Sequence, residues 1–131
     1  MNKEVLIKEA FEAQKHSYSP YSHFPVGAAI LLKDGSIVKG CNIENAAYGS
    51  TMCAERNAIY GAYCQGYRKD DIEALAIVGS GKKLISPCGA CRQVLGELMN
   101  LDTPIILASK DHYQVTTIEE LLPMSFDKES L

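Results

Sequence analysis

The chain has 131 residues, of which 47% are hydrophobic and 22% are charged, and its formal net charge at pH 7 is -3. This length and composition are typical of a single globular domain, and the acidic balance argues against a protein that binds nucleic acid. No segment approaches the roughly 18 apolar residues of a membrane span, and the N-terminus has no signal-peptide pattern. We therefore predict one domain over residues 1–131, located in the cytoplasm, with its five cysteines reduced.

Helices and strands are predicted to alternate along most of the chain, after an early hairpin. Apolar residues at helical spacing predict a helix over 3–14, and Asp34-Gly35 is a strong turn signal between the first two strands. The predicted strands are 26–32, 36–42, 72–78, 104–108 and 113–117, and the later predicted helices are 53–67, 87–99 and 118–122. This order indicates an α/β fold with a layered sheet that begins with an antiparallel hairpin.

Three cysteines have a spacing that is typical of a metal site. Cys88 and Cys91 are three residues apart at the start of a predicted helix, so both sulfurs would face one side, and Cys53 begins another helix. The positive ends of both helix dipoles favour thiolates there. Three protein ligands would leave the fourth tetrahedral position of a zinc ion open, as in catalytic sites. Glu55, two residues after Cys53, supplies a nearby carboxylate that need not be a ligand.

Spacing alone leaves two alternatives to a catalytic zinc. The pair Cys88 and Cys91 would also fit a redox dithiol, although no Trp precedes it, and a structural zinc would need a fourth ligand. Cys64 lies about three helical turns beyond Cys53, too far away to share an ion, and Cys41 falls within a strand pattern. We therefore predict that both are buried small apolar residues. The three histidines have no partner at a metal-binding spacing, and surface or capping roles are expected for them.

The order Cys53-Ala54-Glu55 and then Pro87-Cys88-Gly89-Ala90-Cys91 resembles the motif of the zinc-dependent nucleobase deaminases. The chain as a whole is similar to the cytidine deaminases of the small, all-cysteine type. Three further segments carry the resemblance, at residues 21–29, 41–48 and 119–126. The resemblance implies a three-layer α/β fold in which helices flank a mixed five-stranded sheet, and a homotetramer whose subunits share active sites.

The resemblance also assigns roles to individual residues. It implies that Cys53, Cys88 and Cys91 hold one zinc per chain and that Glu55 shuttles protons during the reaction. It further implies that the side chains of Asn42 and Glu44 bind the ribose hydroxyls and that Phe24 packs on the nucleoside. The backbone around Ala54 and Cys88 would contact the edge of the pyrimidine. Tyr48 would lie near a subunit boundary, and Phe126 would cover the base in a neighbouring subunit's site. Asn42 and Glu44 are two residues apart in extended chain, so their side chains should face the same side.

Three thiolates on a dication leave a negative charge that would make a bound water less acidic. The resemblance implies that Arg56 compensates this charge, because guanidinium groups can donate hydrogen bonds to ligand sulfurs. Arg92, next to Cys91, is a second candidate, for which we predict instead the role of a solvated helix residue.

The implied reaction is the hydrolytic deamination of free cytidine and deoxycytidine, which releases ammonia and gives uridine and deoxyuridine for pyrimidine salvage. Three alternatives are a blasticidin S deaminase, an editor of cytosine within nucleic acid and a zinc-binding module without activity. The segment Asn42-Ile43-Glu44-Asn45 favours a nucleoside over blasticidin S, and the acidic charge disfavours a nucleic acid. A purely structural module would give Glu55 no reason to lie beside the cysteines.

Overall fold

Five strands form one mixed sheet in the computed structural model, which describes residues 1–131. The strands are β1 (Gly27–Leu32), β2 (Ile37–Cys41), β3 (Ile72–Val78), β4 (Ile105–Ala108) and β5 (Tyr113–Thr116). The helices are α1 (Lys3–Gln14), α2 (Ala54–Cys64), α3 (Gly89–Leu98) and α4 (Ile118–Leu121). The strand order is β2-β1-β3-β4-β5, in which only β3 and β4 are parallel neighbours. The predicted mixed five-stranded sheet is therefore confirmed.

Helices cover both faces of the sheet, and two apolar clusters fill the layers between them. On one face Leu6 and Ala10 of α1 pack with Ala29 and Ala76 of the sheet. On the other face α2 and α3 pack against the alternate residues of the same strands. Six of the seven residues of β3 are buried, as expected for a central strand that is covered on both sides. The predicted three-layer arrangement is confirmed. No helix is both long enough and apolar enough to cross a membrane.

The second helix ends three residues earlier than the sequence pattern predicts. Gly66 adopts a φ of 97°, a left-handed conformation that is unfavourable for residues with a side chain, and the helix ends there. The N–H of Tyr67 donates to the carbonyl of Ala62, and the N–H of Gly66 donates to the carbonyl of Tyr63. These are the two hydrogen bonds of a Schellman motif, in which a glycine closes the C-terminal end of a helix. The other predicted boundaries differ from the structure by two residues at most.

The N-terminal half of α2 lies unusually close to β2. A Cβ atom built on Gly40 would be 2.5 Å from the carbonyl oxygen of Ala54 and 2.5 Å from the amide nitrogen of Ala58. Backbone atoms cannot move aside as a flexible side chain can, so the absence of a side chain at Gly40 sets the distance between helix and strand. This contact fixes the height above the sheet at which the first turn of α2 begins.

We expect Gly40→Ala to destabilise the protein by about 1–3 kcal/mol, because the added methyl group must push α2 away from the sheet. Gly61→Ala on the same helix is the matched control, since its Cβ would meet only Val38 Cγ1, at 3.5 Å. Removing a glycine from a helix interior should stabilise by up to about 1 kcal/mol. Denaturant unfolding measures both changes, and equal effects of the two substitutions would contradict the close contact.

Candidate active site and metal centre

Three thiols converge where the N-termini of α2 and α3 meet. Cys53 and Cys88 are the N-cap residues of these two helices, and Cys91 lies in the first turn of α3. Their three Sγ atoms lie within 4.8 Å of one another, and those of Cys53 and Cys88 are 3.8 Å apart. The structure thus brings together the three cysteines that the sequence singled out.

The geometry of these thiols fits a zinc ion. With Zn–S bonds of about 2.3 Å, two sulfurs of a tetrahedral site are separated by about 3.8 Å, which is the spacing of Cys53 and Cys88. A set of thiol donors also selects zinc among the common biological cations that are not redox-active. No further Cys, His, Asp or Glu belongs to the cluster, so a fourth ligand of a structural zinc is missing from this chain.

The two remaining cysteines lie outside the cluster. Cys41 is half-buried at the end of β2, and burial raises the pKa of its thiol. Cys64 is exposed at the end of α2, so the prediction that it is buried is wrong. The cause is local, because the Schellman motif around Gly66 ends the helix at Cys64, and Gln65 and Gly66 after it are exposed as well.

The thiol cluster favours negative charge on Cys53. The pKa of Cys53 is lowered to about 5, first by a hydrogen bond from Cys91 and then by one from Arg56. The contact with Cys53, together with burial, raises the pKa of Cys91 well above its usual range. Cysteine binds a metal ion as a thiolate, so a dication that binds to these crowded thiols displaces their protons.

Arg56 places a positive charge against the cluster. Its Nη2 donates to Cys53 Sγ at 3.3 Å, and the contact with Cys53 raises the pKa of the guanidinium. The buried Nε of Arg56 has no hydrogen-bond partner. A buried donor without a partner is costly, and it is tolerated here because the charge on the neighbouring sulfurs favours the cation.

Glu55 lies in the first turn of α2, beside the thiols, with only 5% of its surface exposed. Burial raises the pKa of its carboxyl group above the ordinary value. A carboxyl group whose pKa is shifted towards neutrality can both take up and return a proton near pH 7.

Asn42 and Glu44 follow β2 and point to the same side. They are 8% and 9% exposed, whereas Ile43 between them is 43% exposed. Ile43 forms single bridges with Tyr18 and Met52, so the extended alternation continues past the end of the strand at Cys41. The predicted common orientation is confirmed.

The side chain of Asn42 holds the aromatic loop of residues 17–26. Its Oδ1 accepts hydrogen bonds from Ser17 Oγ at 2.5 Å and from the N–H of Val26 at 2.9 Å. Its Nδ2 donates to the carbonyl of Phe24 at 3.0 Å. Asn42 therefore fixes both ends of the segment that carries Phe24.

Glu44 holds the middle of the same loop. Its Oε1 accepts from the N–H groups of Tyr21 and Ser22 at 2.9 and 3.1 Å, and its Oε2 accepts from the Ser22 hydroxyl. These hydrogen bonds, above all the one from the Ser22 side chain, lower the pKa of Glu44. Ser22 Oγ also accepts from the N–H of Phe24 at 3.0 Å. This role of Ser22 was not predicted from the sequence, because the only signal was a small polar residue within residues 21–29, one of the segments that resemble the cytidine deaminases.

The other predicted contact residues are placed as follows. The ring of Phe24 is half-buried and packs against Gly79, whose hypothetical Cβ would lie 3.0 Å from Phe24 Cζ. Ala54 is fully buried as the first residue of α2. Tyr48 is 76% exposed, and its ring meets that of Tyr21 edge to face at 6.0 Å.

Phe126 lies on the surface of its own chain. Its ring is 59% exposed, while its backbone carbonyl accepts from Gln93 Nε2 on α3 at 2.9 Å. The C-terminal segment is thus fixed to α3 through its backbone, with the aromatic side chain left accessible.

Arg92 differs from the prediction of a solvated helix residue. Its guanidinium donates three hydrogen bonds of 2.8 Å, to Ser86 Oγ, to the carbonyl of Pro87 and to the carbonyl of Leu121. The prediction is wrong because it considered only the neighbours of Arg92 along α3, whereas two of these acceptors lie before the helix and one lies at the end of α4.

Comparison with known proteins agrees with this site. The family model described as the zinc-binding region of cytidine and deoxycytidylate deaminases matches residues 1–106. The chain is 49% identical to a cytidine deaminase of Halalkalibacterium halodurans, over 100% of this chain and 98% of that protein. A crystal structure of cytidine deaminase from Burkholderia pseudomallei is similar with a TM-score of 0.92 and 43% identity, covering 96% of this chain and 100% of that one. A blasticidin-S deaminase of Bacillus cereus is 32% identical, over 94% of this chain and 91% of that protein.

The sheet, the thiol cluster and the neighbouring carboxyl group define a zinc-dependent hydrolase of the deaminase class. Within that class, the chain belongs to the cytidine deaminase family.

Cys53→Ala should remove zinc and activity together, because two thiols cannot hold the ion that three hold. Cys64→Ala is the matched control and should keep both, since that thiol is exposed and lies outside the cluster. Elemental analysis of the purified variants, combined with an activity assay, measures the outcome. A Cys53→Ala protein that retains one zinc per chain would overturn this ligand assignment.

Proposed function

We propose that the protein converts free cytidine and deoxycytidine to uridine and deoxyuridine by hydrolysis, with release of ammonia, in pyrimidine salvage. The observation that carries this proposal is the buried Glu55 carboxyl group beside three converging thiols. A proton shuttle beside an open metal position is what hydrolysis of an exocyclic amino group needs. The 131 residues act as one catalytic domain.

Cys53, Cys88 and Cys91 hold one zinc per chain in this proposal. A bound zinc would lower the pKa of a water molecule, so that the water becomes a nucleophile near neutral pH. Arg56 offsets the excess charge of the three thiolates through its contact with Cys53. Loss of such a partner of a metal ligand commonly costs about 10–100-fold in metal affinity or activity.

Glu55 moves the protons of the reaction. Its raised pKa suits a carboxylate that first accepts a proton from water and passes it to N3 of the base. It then takes the second proton from the added hydroxyl group and passes it to the departing amino group, which leaves as ammonia. The burial that raises the pKa also excludes bulk water, which strengthens these interactions. One carboxyl group therefore serves as base and then as acid.

The sugar and the base are recognised by the residues around the aromatic loop. Asn42 and Glu44 bind ribose hydroxyls with the hydrogen-bonding positions that the loop leaves free, since each carboxylate oxygen can accept more than one hydrogen bond. Phe24 packs on the nucleoside, and the backbone around Ala54 and Cys88 contacts the edge of the pyrimidine. The 3′-hydroxyl is common to ribose and deoxyribose, so both nucleosides are substrates.

The protein acts as a homotetramer in which Phe126 covers the base pocket of a neighbouring subunit and Tyr48 lies at a subunit boundary. Support comes from large apolar side chains that are exposed in the single chain, at 76% for Tyr48 and 59% for Phe126. Exposed aromatic residues of this kind are typical of interfaces. A cytoplasmic location fits the requirement of the site for three reduced thiols.

A related aminohydrolase, such as a blasticidin S deaminase, is the alternative. It is supported by the 32% identity to the Bacillus cereus enzyme of that name. Ultraviolet spectroscopy on cytidine, deoxycytidine and blasticidin S with one enzyme preparation distinguishes the two functions. Turnover of blasticidin S alone would refute the nucleoside proposal.

Glu55→Gln should keep its zinc and bind cytidine, yet lose about 100- to 10,000-fold in kcat, because the amide cannot shuttle protons. Glu73→Gln, which changes an exposed carboxylate on β3, is the control and should leave kcat unchanged. Steady-state kinetics with a zinc determination on each variant test this role. A fall in kcat that only mirrors lost zinc would assign Glu55 to metal binding instead.

Phe126→Ala should raise KM several-fold, and truncation after Pro123 should in addition weaken the tetramer. Met124→Ala is the control for lost apolar surface, because Met124 is fully exposed.

Mixing Phe126→Ala subunits with inactive Glu55→Gln subunits should restore the native KM. In the mixed tetramer, a subunit with an intact Glu55 can receive Phe126 from a neighbouring subunit. A truncated protein that is a fully active monomer, or mixing without rescue, would show that each site is self-contained.

A further inference from the structure

The connection between β3 and α3 carries one of the metal-binding thiols but is held by few hydrogen bonds. Residues 79–87 of this connection make no backbone–backbone hydrogen bond. Leu84 and Ile85 pack partly against the core, and the only side-chain hydrogen bonds in the segment are those that Ser86 Oγ and the Pro87 carbonyl accept. Both come from Arg92, whose guanidinium is therefore the sole hydrogen-bonding attachment of the segment before Cys88.

Arg92 joins this segment to two other elements. Its own backbone lies in α3, where its N–H donates to the carbonyl of Cys88 at 2.9 Å. Its side chain reaches back to the two residues before Cys88 and across to the carbonyl of Leu121 at the end of α4. Cys88 therefore lies in the chain between Pro87 and Arg92, which the Arg92 guanidinium joins by a hydrogen bond.

We propose that Arg92 is a positioning residue for the metal ligand Cys88. Cys88 is an exposed N-cap residue whose side chain makes no capping hydrogen bond, and its thiol lies 3.8 Å from that of Cys53. The position of this thiol therefore depends on the backbone that carries it. By holding Ser86 and Pro87 against α3 and α4, Arg92 keeps Cys88 Sγ at its distance from the other two sulfurs. Residues that orient metal ligands in this way retain the metal even though they do not touch it.

The contacts distinguish this role from charge compensation. The three hydrogen bonds of Arg92 go to oxygen atoms, and none goes to a sulfur. Arg56, in contrast, donates directly to Cys53 Sγ. Arg92 therefore acts through the position of the segment, whereas Arg56 acts through its charge on the sulfurs.

The test measures how fast the folded protein loses zinc to a chromophoric chelator. Arg92→Met should release zinc about 10–100-fold faster than the native protein, as is common when a partner of a metal ligand is lost. Arg68→Met is the matched control, because the Arg68 guanidinium also donates to two backbone carbonyls, those of Tyr63 and Tyr67, but far along the chain from the cysteines. It should leave the release rate unchanged.

Ser86→Ala keeps the assay decisive if Arg92→Met does not fold. It removes one acceptor of Arg92 at an exposed position and should speed zinc release several-fold. Cobalt-substituted protein gives a second readout, since a displaced Cys88 should weaken the thiolate-to-cobalt absorption of Arg92→Met but not of Arg68→Met. Native release rates in both Arg92→Met and Ser86→Ala would overturn the proposal. Because these measurements use no substrate, their outcome is independent of the proposed nucleoside reaction.

Discussion

Small side chains between α2 and the sheet allow the two helix N-termini to meet. Ala54, Ala58 and Ala62 recur every four residues along α2, and all three are fully buried against the strands. Gly40 opposite them removes the last obstacle, so that the helix backbone lies directly on β2. With larger residues in this layer α2 would stand further from the sheet, and Cys53 could not reach the thiols of α3.

The electrostatics of the site follow from that convergence. Two positive helix ends and the Arg56 guanidinium surround sulfurs that would otherwise resist losing their protons. The same layer buries Glu55, and this burial raises the pKa of its carboxyl group, so that the protonated form is favoured. One packing arrangement thus stabilises negative charge on the sulfur of Cys53 while disfavouring it on the adjacent carboxyl group.

Local sequence patterns were sufficient for the parts of the structure that depend on near neighbours. The spacing of Cys88 and Cys91 and the turn signal at Asp34-Gly35 each act within a few residues, and both predictions agree with the structure. The contacts of Arg92 and Ser22 could not be predicted in this way, because their acceptors lie up to 29 residues away along the chain. The prediction that Cys64 is buried was wrong for a different, local reason, since the exposure of Cys64 depends on how the chain leaves the helix at Gly66 and not on the apolar pattern of the helix.

The attachment of the aromatic loop to Asn42 and Glu44 has a consequence for the entropy of binding. The loop is fastened at Ser17, Ser22 and Val26 by hydrogen bonds to Asn42 and Glu44 of the same chain. Ordering a free segment costs roughly 1–2 kcal/mol per residue in backbone entropy, and here that cost is met when the chain folds. A ligand that enters beside Phe24 therefore meets a preorganised wall, and less of its interaction energy is consumed in ordering the protein.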